Sequence, residues 1–144
     1  MYRIAFIIVF FLLLPATSRL HAETFIRPPD DVDVIGQLGF VKARRAETLL
    51  DIARTHGIGQ NEILLANPSV DRWLPEEGAM VKLPKRYILP DAERSGLVLN
   101  LPEMRLYYFP EPESGEIPVV ITHPVSVGRM DWETPLGITR IASK

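Results

Sequence analysis

The sequence predicts an α+β protein in which a small βααβ unit is followed by the first strands of a mainly-β domain. Two observations support this class. In the first part of the 144-residue chain, two short segments with helical periodicity lie between strand-like runs. After residue 96, three runs rich in branched and aromatic residues are separated by Pro, Gly and Asn. A chain of this length has room for two small domains.

The start of the chain has the pattern of an export signal. Arg3 supplies a basic start, and the apolar run Ile4–Leu14 follows it. A helix over this run is only about 16 Å long, against roughly 30 Å of bilayer hydrocarbon. We therefore predict that residues 1–22 are a signal peptide cut after Ala22 or after Ser18, and the alternative is an uncleaved membrane anchor. Both interpretations predict an exported protein of the periplasm or cell envelope, which meets the membrane only through this segment.

Composition argues against several classes of function. The chain has 16 basic and 18 acidic residues and a net charge of −2, with no basic run, so nothing in it predicts nucleic-acid binding. It contains no cysteine, and its three histidines have no metal-ligand spacing, so we expect neither a disulfide nor a bound metal. We also expect no cofactor.

Local signals predict the first half of the βααβ unit. Residues 23–36 are rich in Pro and Asp and predict a linker, which leads into a strand near residues 37–42. In the stretch AETLLDIARTHG, apolar residues recur at helical spacing. Thr48 and Asp51 form a capping-box start and Gly57 supplies a left-handed stop, so we expect a helix of about nine residues between them.

The second half of the unit is predicted in the same way. QNEILLANP suits a short helix that ends at Asn67 and Pro68, because the residue before a proline is disfavoured in a helix. The run Met80–Leu83 suits a second strand. These elements define a unit over residues 37–84, and residues 85–95 are predicted to be a second linker.

The stretches ETLLDIARTHGI, NEILLANPSVD and GAMVKLP together resemble the LysM module over residues 36–84. One departure is that Arg45, Ala46 and Glu47 stand where that module usually has Gly-Asp before Thr-Leu. The resemblance implies binding of N-acetylglucosamine-containing glycans such as peptidoglycan. It also implies a glycan groove between two loops, at the positions Thr48, Leu49, Asn67, Pro68 and Ser69.

The same residues have a purely structural interpretation. Thr48 caps a helix, Leu49 suits a core, and Asn67 with Pro68 ends a helix. Trp73 could stack on a sugar ring or cover a small core with its indole. The sequence leaves these alternatives open.

The second unit is predicted to begin with three strands, in LVLNL, RLYYF and VVITHPVSVG. In RLYYF, Leu106 and Tyr108 point to one face while Tyr107 and Phe109 point to the other. Since both faces are largely apolar, we expect this strand to be covered on both sides.

The stretches GLVLNLPEMRLYYFP, HPVSVGR and TPLGITRI resemble the start of the L,D-transpeptidase catalytic domain of the YkuD type, over residues 96–144. The resemblance implies peptidoglycan crosslinking by cysteine acyl transfer. The cysteine of that family lies in a Ser-His-Gly-Cys motif, which is absent here and is expected beyond Lys144. His123 precedes PVSVGR, whereas the histidines of the family follow TPLG, so it is not expected to be catalytic.

Together these resemblances imply the N-terminal fragment of an exported peptidoglycan L,D-transpeptidase, with glycan strands and stem peptides as partners. The chain as given is then expected to be inactive, because without a thiol no thioester can form. The alternative is a non-enzymatic LysM-type protein that binds cell-wall glycan.

Overall fold

The computed structural model describes residues 22–128 and 134–142, and all of the predicted signal peptide except Ala22 lies outside these residues. Within the described ranges, no helix is long and apolar enough to cross a membrane. The mixed α+β class is confirmed. The elements, in chain order, are strands β1 (Glu23–Ile26), β2 (Val34–Gly36) and β3 (Gly39–Lys42), helices α1 (Leu49–Thr55) and α2 (Gln60–Ala66), and strands β4 (Met80–Leu83), β5 (Arg86–Ile88), β6 (Gly96–Asn100), β7 (Arg105–Phe109) and β8 (Val119–Pro124).

The βααβ order predicted from the sequence is present as β3, α1, α2 and β4. Strands β3 and β4 pair antiparallel, with Val41 opposite Val81, and both helices pack against them. The apolar faces of both helices meet the strands in one buried cluster. Its members are Ala43, Leu49, Ile52, Ala53, Ile58, Ile63, Val81 and Leu83.

Helix α1 begins with the reciprocal hydrogen bonds of a capping box, and helix α2 with one of the two. The Oγ1 of Thr48 accepts the backbone N–H of Asp51 at 3.1 Å, and the Asp51 carboxylate accepts the N–H of Thr48 at 3.1 Å. At the end of α1, Gly57 adopts a φ of 64°, as predicted for a left-handed stop. Helix α2 uses Glu62, whose carboxylate accepts the N–H of Gly59 at 2.9 Å. Helix α1 has seven residues, slightly fewer than predicted.

A four-stranded antiparallel sheet forms the second layer, in the order β1-β8-β7-β6. Tyr107 lies at its centre, opposite Val98 on one neighbour and Thr122 on the other. One face of this sheet is buried together with residues from β2 and β5. The buried cluster consists of Ile35, Tyr87, Leu89, Tyr107, Phe109 and Val120.

The structure corrects the two predicted linkers. Residues 23–36 contain β1, which is an edge strand of the sheet, and β2, which pairs with β5 from residues 85–95. Strands of three or four residues are too short to show a hydrophobic period, and their pairing partners lie far away in the sequence. The βααβ unit is therefore inserted between two strands of one sheet, and the chain enters and leaves it through the β2–β5 ribbon.

A close backbone approach fixes the sequence of this ribbon at one position. Gly36 has a φ of +71°, and a Cβ atom there would lie 2.0 Å from the carbonyl oxygen of Lys85. Only glycine combines this conformation with this contact.

The predicted alternation of β7 is confirmed, and covering of both its faces stays a prediction. Arg105, Tyr107 and Phe109 are buried on one face, while Tyr108 on the other face is exposed. This second face of the sheet also carries the exposed side chains of Leu97 and Leu99, which lie opposite Tyr108 and Leu106.

Candidate functional site

The resemblance to the LysM module implies glycan contact by five residues of the βααβ unit, and the structure places each of them. Leu49 is fully buried in the core. The hydroxyl of Thr48 donates to the Asp51 carboxylate at 2.7 Å and also accepts the N–H of that residue, so it is committed to the helix cap. Pro68 and Ser69 are exposed.

Asn67 is buried and its side-chain amide is satisfied by the backbone. Its Nδ2 donates to the carbonyl oxygens of Ile63 at 2.8 Å and Lys82 at 2.9 Å, and its Oδ1 accepts the N–H of Lys82 at 2.7 Å. The amide thus ties the end of α2 to β4. Thr48, Leu49 and Asn67 thus have structural roles in the fold, and glycan contact by the five residues stays a prediction.

Trp73 lies on the surface beside these loops. Its side chain is 63% exposed, so the alternative in which its indole covers the core is wrong. The carboxylate of Asp71 accepts the N–H groups of Leu74 and Trp73, each at 2.8 Å, and these two hydrogen bonds lower the pKa of Asp71. The resulting turn presents an aromatic face that a sugar ring could stack on.

A buried ion pair joins the βααβ unit to the sheet. Arg105 on β7 is fully buried, and its Nε and Nη2 donate to the two carboxylate oxygens of Glu62 on α2 at 3.0 and 2.6 Å. Its Nη1 donates to Thr122 at 3.2 Å, and its guanidinium lies 4.0 Å from the centroid of the Tyr87 ring. Bidentate pairing and stacking on an aromatic ring both suit guanidinium.

The environment shifts the pKa values of these groups. Burial would lower the pKa of Arg105, but the hydrogen bonds of Glu62 together with the electrostatic effects of Tyr87, Glu62 and Tyr107 raise that pKa. Burial raises the pKa of Tyr87 and of Tyr107 far above the usual value. The hydroxyl of Tyr87 donates to the carboxylate of Glu23 at 3.0 Å. The same carboxylate forms an ion pair with Lys85, which directly precedes β5.

Sequence reasoning missed this junction altogether. Glu62 and Arg105 are 43 residues apart. No local pattern around either residue indicates that it has a partner in the other unit. The one local signal was Glu62 at the capping position of α2, which explains the residue without any partner on the sheet.

A groove of about 860 Å³ opens beside the ion pair. Its walls come from α2, from β5 and from the turn between β6 and β7. It is the place where the βααβ unit, the ribbon and the sheet meet.

The described residues carry polar and aromatic groups that are suited to binding and positioning. They contain no cluster of three or more His, Asp or Glu that could hold a metal ion. His123 lies on the second face of β8, opposite Leu106, away from the buried ion pair. The 144 residues contain no cysteine, so no thiol nucleophile is present in this chain.

No family model matches the chain. It is 37% identical over 127 residues to the probable L,D-transpeptidase ErfK/SrfK of Escherichia coli K12, covering 87% of this chain and 40% of that protein. It is 34% identical over 136 residues to the probable L,D-transpeptidase YcfS of the same organism, covering 92% of this chain and 40% of that protein. It is 36% identical over 137 residues to the probable L,D-transpeptidase ErfK/SrfK of Salmonella typhimurium LT2, covering 94% of this chain and 43% of that protein. The chain thus spans about two-fifths of the length of these curated relatives, and the resemblance noted from its motifs is confirmed.

Proposed function

We propose that this chain, a relative of the L,D-transpeptidases, is part of an exported enzyme that crosslinks peptidoglycan by cysteine acyl transfer. The observation that carries the proposal is that the similarity to proteins with this name reaches 94% of the chain, so it includes both the βααβ unit and the sheet. The 144 residues would supply a LysM-like glycan-binding unit and the first strands of the catalytic domain.

The proposed reaction places the nucleophile outside these residues. A cysteine thiolate attacks the carbonyl of the third residue of a tetrapeptide stem, D-alanine leaves with a proton, and an acceptor amine then resolves the thioester. Since this chain has no cysteine, it is expected to release no D-alanine from a tetrapeptide stem. Mass spectrometry of the stem after incubation tests this, and release of D-alanine by the 144 residues alone would contradict the assigned mechanism.

Glycan binding is proposed for the exposed surface formed by Pro68, Ser69 and Trp73. The support is that Trp73 presents its indole to solvent next to the loop that carries the other two residues. Trp73→Ala is expected to weaken retention on purified peptidoglycan about tenfold, equivalent to about 1.4 kcal/mol. Phe40→Ala is the matched control, because Phe40 on β3 is also an exposed aromatic residue, at 60%. Equal loss in both variants would argue against a localised site.

Export with removal of the signal peptide is the second part of the proposal. N-terminal sequencing of exported protein is expected to start at Glu23, or at Arg19 if the cut follows Ser18. Glu23 is the first residue of β1, and its carboxylate accepts the Tyr87 hydroxyl, so a cut after Ala22 leaves the sheet complete. A start at Met1 would favour the retained anchor.

A non-enzymatic, LysM-type glycan-binding protein is the alternative. The observation in its favour is that Trp73 is exposed while the 144 residues contain no thiol. The two functions differ in the downstream reading frame. A Ser-His-Gly-Cys motif there supports the enzyme, and its absence supports the binding protein.

A further inference from the structure

The groove beside the Glu62–Arg105 pair has the dimensions of a ligand site. Its volume of about 860 Å³ lies within the range of about 300–1,000 Å³ that is usual for small-molecule pockets. Gln60 and Ala66 lie at the two ends of the α2 wall, about 9 Å apart along the helix axis. That length matches about three residues of extended peptide.

The groove exposes aliphatic surface from two separate elements. Leu65 on α2 is 81% exposed and Ile88 on β5 is 62% exposed, and both line the groove. Met104 and Val125 add partly buried apolar surface from the sheet side. Large aliphatic side chains that converge on one concave surface are typical of a site that buries a partly apolar ligand.

The polar groups at the groove select the charge of the ligand. The carboxylate of Glu62 is neutralised by Arg105. The carboxylate of Glu103 accepts hydrogen bonds from the amide of Asn100 and the hydroxyl of Tyr107. The side chains of Gln60, Arg86 and Ser126 have no hydrogen-bond partner among the described residues. The groove thus offers an amide, a hydroxyl and the Arg86 guanidinium to a ligand, while Arg105 pairs with Glu62 and two neutral donors bond to Glu103.

The described residues that line this groove present no exposed aromatic ring for stacking. Tyr87 is its one aromatic lining residue, and it is buried, with its ring face covered by the guanidinium of Arg105. Sugar rings are commonly bound on exposed aromatic faces, such as that of Trp73, so the groove suits a peptide better than a glycan.

We propose that this groove binds the peptide stem of peptidoglycan, with Arg86 pairing with a free carboxylate of the stem and Gln60 and Ser126 bonding its peptide groups. The inference rests on peptidoglycan as the partner in the proposed function and adds a second, separate subsite to it. Small aliphatic side chains of the stem lie against Leu65 and Ile88. Guanidinium is suited to this role because it can bind a carboxylate through two parallel hydrogen bonds.

Titration of the ¹⁵N-labelled chain from Glu23 onward, which retains both hydrophobic cores, with a soluble tetrapeptide stem tests the proposal. Amide shifts are expected to cluster on α2, on β5 and on the turn between β6 and β7. Arg86→Gln is expected to raise the Kd about tenfold, because the charged pair is lost. Arg54→Gln makes the same charge change on α1, outside the groove, and is expected to leave the Kd unchanged. Leu65→Asn, at a highly exposed position that does not contribute to the core, is expected to raise the Kd severalfold.

The outcomes separate this inference from the proposed function. If intact peptidoglycan binds through Trp73 but the tetrapeptide shifts no groove amide, the groove is not a stem site and the glycan-binding proposal stands. If an N-acetylglucosamine tetramer shifts the groove amides and the tetrapeptide does not, the assignment to peptide is overturned. Equal loss of affinity in Arg86→Gln and Arg54→Gln would show a general charge effect and would also overturn it.

Discussion

Replacing Glu62 with glutamine removes the charge that faces Arg105 and keeps the shape of the side chain. Leaving one partner of a buried ion pair uncompensated costs about 3–5 kcal/mol. Several contacts reduce this cost here. The guanidinium of Arg105 keeps its hydrogen bond to Thr122 and its stacking on the Tyr87 ring. A glutamine at position 62 can still accept one hydrogen bond from it. The side chain at position 62 is also 22% exposed, so water can reach it. We therefore expect Glu62→Gln to lower the free energy of unfolding by about 2–3 kcal/mol, a large part of the roughly 5–15 kcal/mol of a small protein.

Urea unfolding of the chain from Glu23 onward measures this loss, and a double-mutant cycle with Arg105→Met assigns it to the pair. The two single variants are expected to lose more in sum than the double variant does, by about 2 kcal/mol, because each single change leaves the other charge unpaired. Glutamine at this position also preserves the capping of α2, so the cycle reports on the charge.

The control for this cycle is Arg54→Gln, which breaks an ion pair that is exposed on both sides. Such pairs contribute little, so its urea midpoint is expected to stay that of the unchanged chain. A coupling energy below about 0.5 kcal/mol would refute the conclusion that the buried pair holds the unit against the sheet.

Three further predictions concern other parts of the fold. Gly36→Ala is expected to lower the free energy of unfolding by more than about 2 kcal/mol, because it adds a backbone clash to the strain of a positive φ. Gly78→Ala, in open space at a φ of +86°, is the control in the same urea assay and is expected to cost only about 1 kcal/mol of strain. Asn67→Ala is expected to cost about 2–3 kcal/mol, because it leaves buried backbone groups without their hydrogen bonds, and thermal unfolding would detect a loss this large. Burial raises the pKa of Tyr87 and of Tyr107 above 10.0, so their stabilising effect is complete below the unfolded pKa and is lost as the pH rises towards the folded pKa. Absorbance at alkaline pH is therefore expected to show these two phenols ionising together with unfolding, and ionisation in the still-folded protein would contradict it.

Much of the βααβ unit and of the sheet could be predicted because their signals are local. Thr48 and Asp51 lie three residues apart and form the cap that their types and spacing predict. Strand β7 alternates as its sequence RLYYF predicts. The motifs that resemble L,D-transpeptidases are likewise short stretches, and the relatives named above bear out that resemblance.

At the candidate glycan site, local signals do not predict which side chains are buried and which are exposed. Leu49 and Asn67 fit both a core and a binding loop by sequence, and only the structure shows that both side chains are buried. Trp73 was left open in the same way, and its exposure decided for the surface. A side chain's type states what it can contact, whereas its accessibility depends on the packing of the remaining chain.

The sequence by itself determined the helices, their caps, the main strands and the kinship of the chain. Only the tertiary structure decided that β1 completes the sheet, that the βααβ unit is inserted between strands of that sheet, and that Glu62 meets Arg105. The physical reason is the range of the interactions. Caps and periodicity act over a few residues, while the Tyr87–Glu23 and Arg105–Glu62 contacts join residues 64 and 43 positions apart, and nothing in the local sequence encodes such a partner.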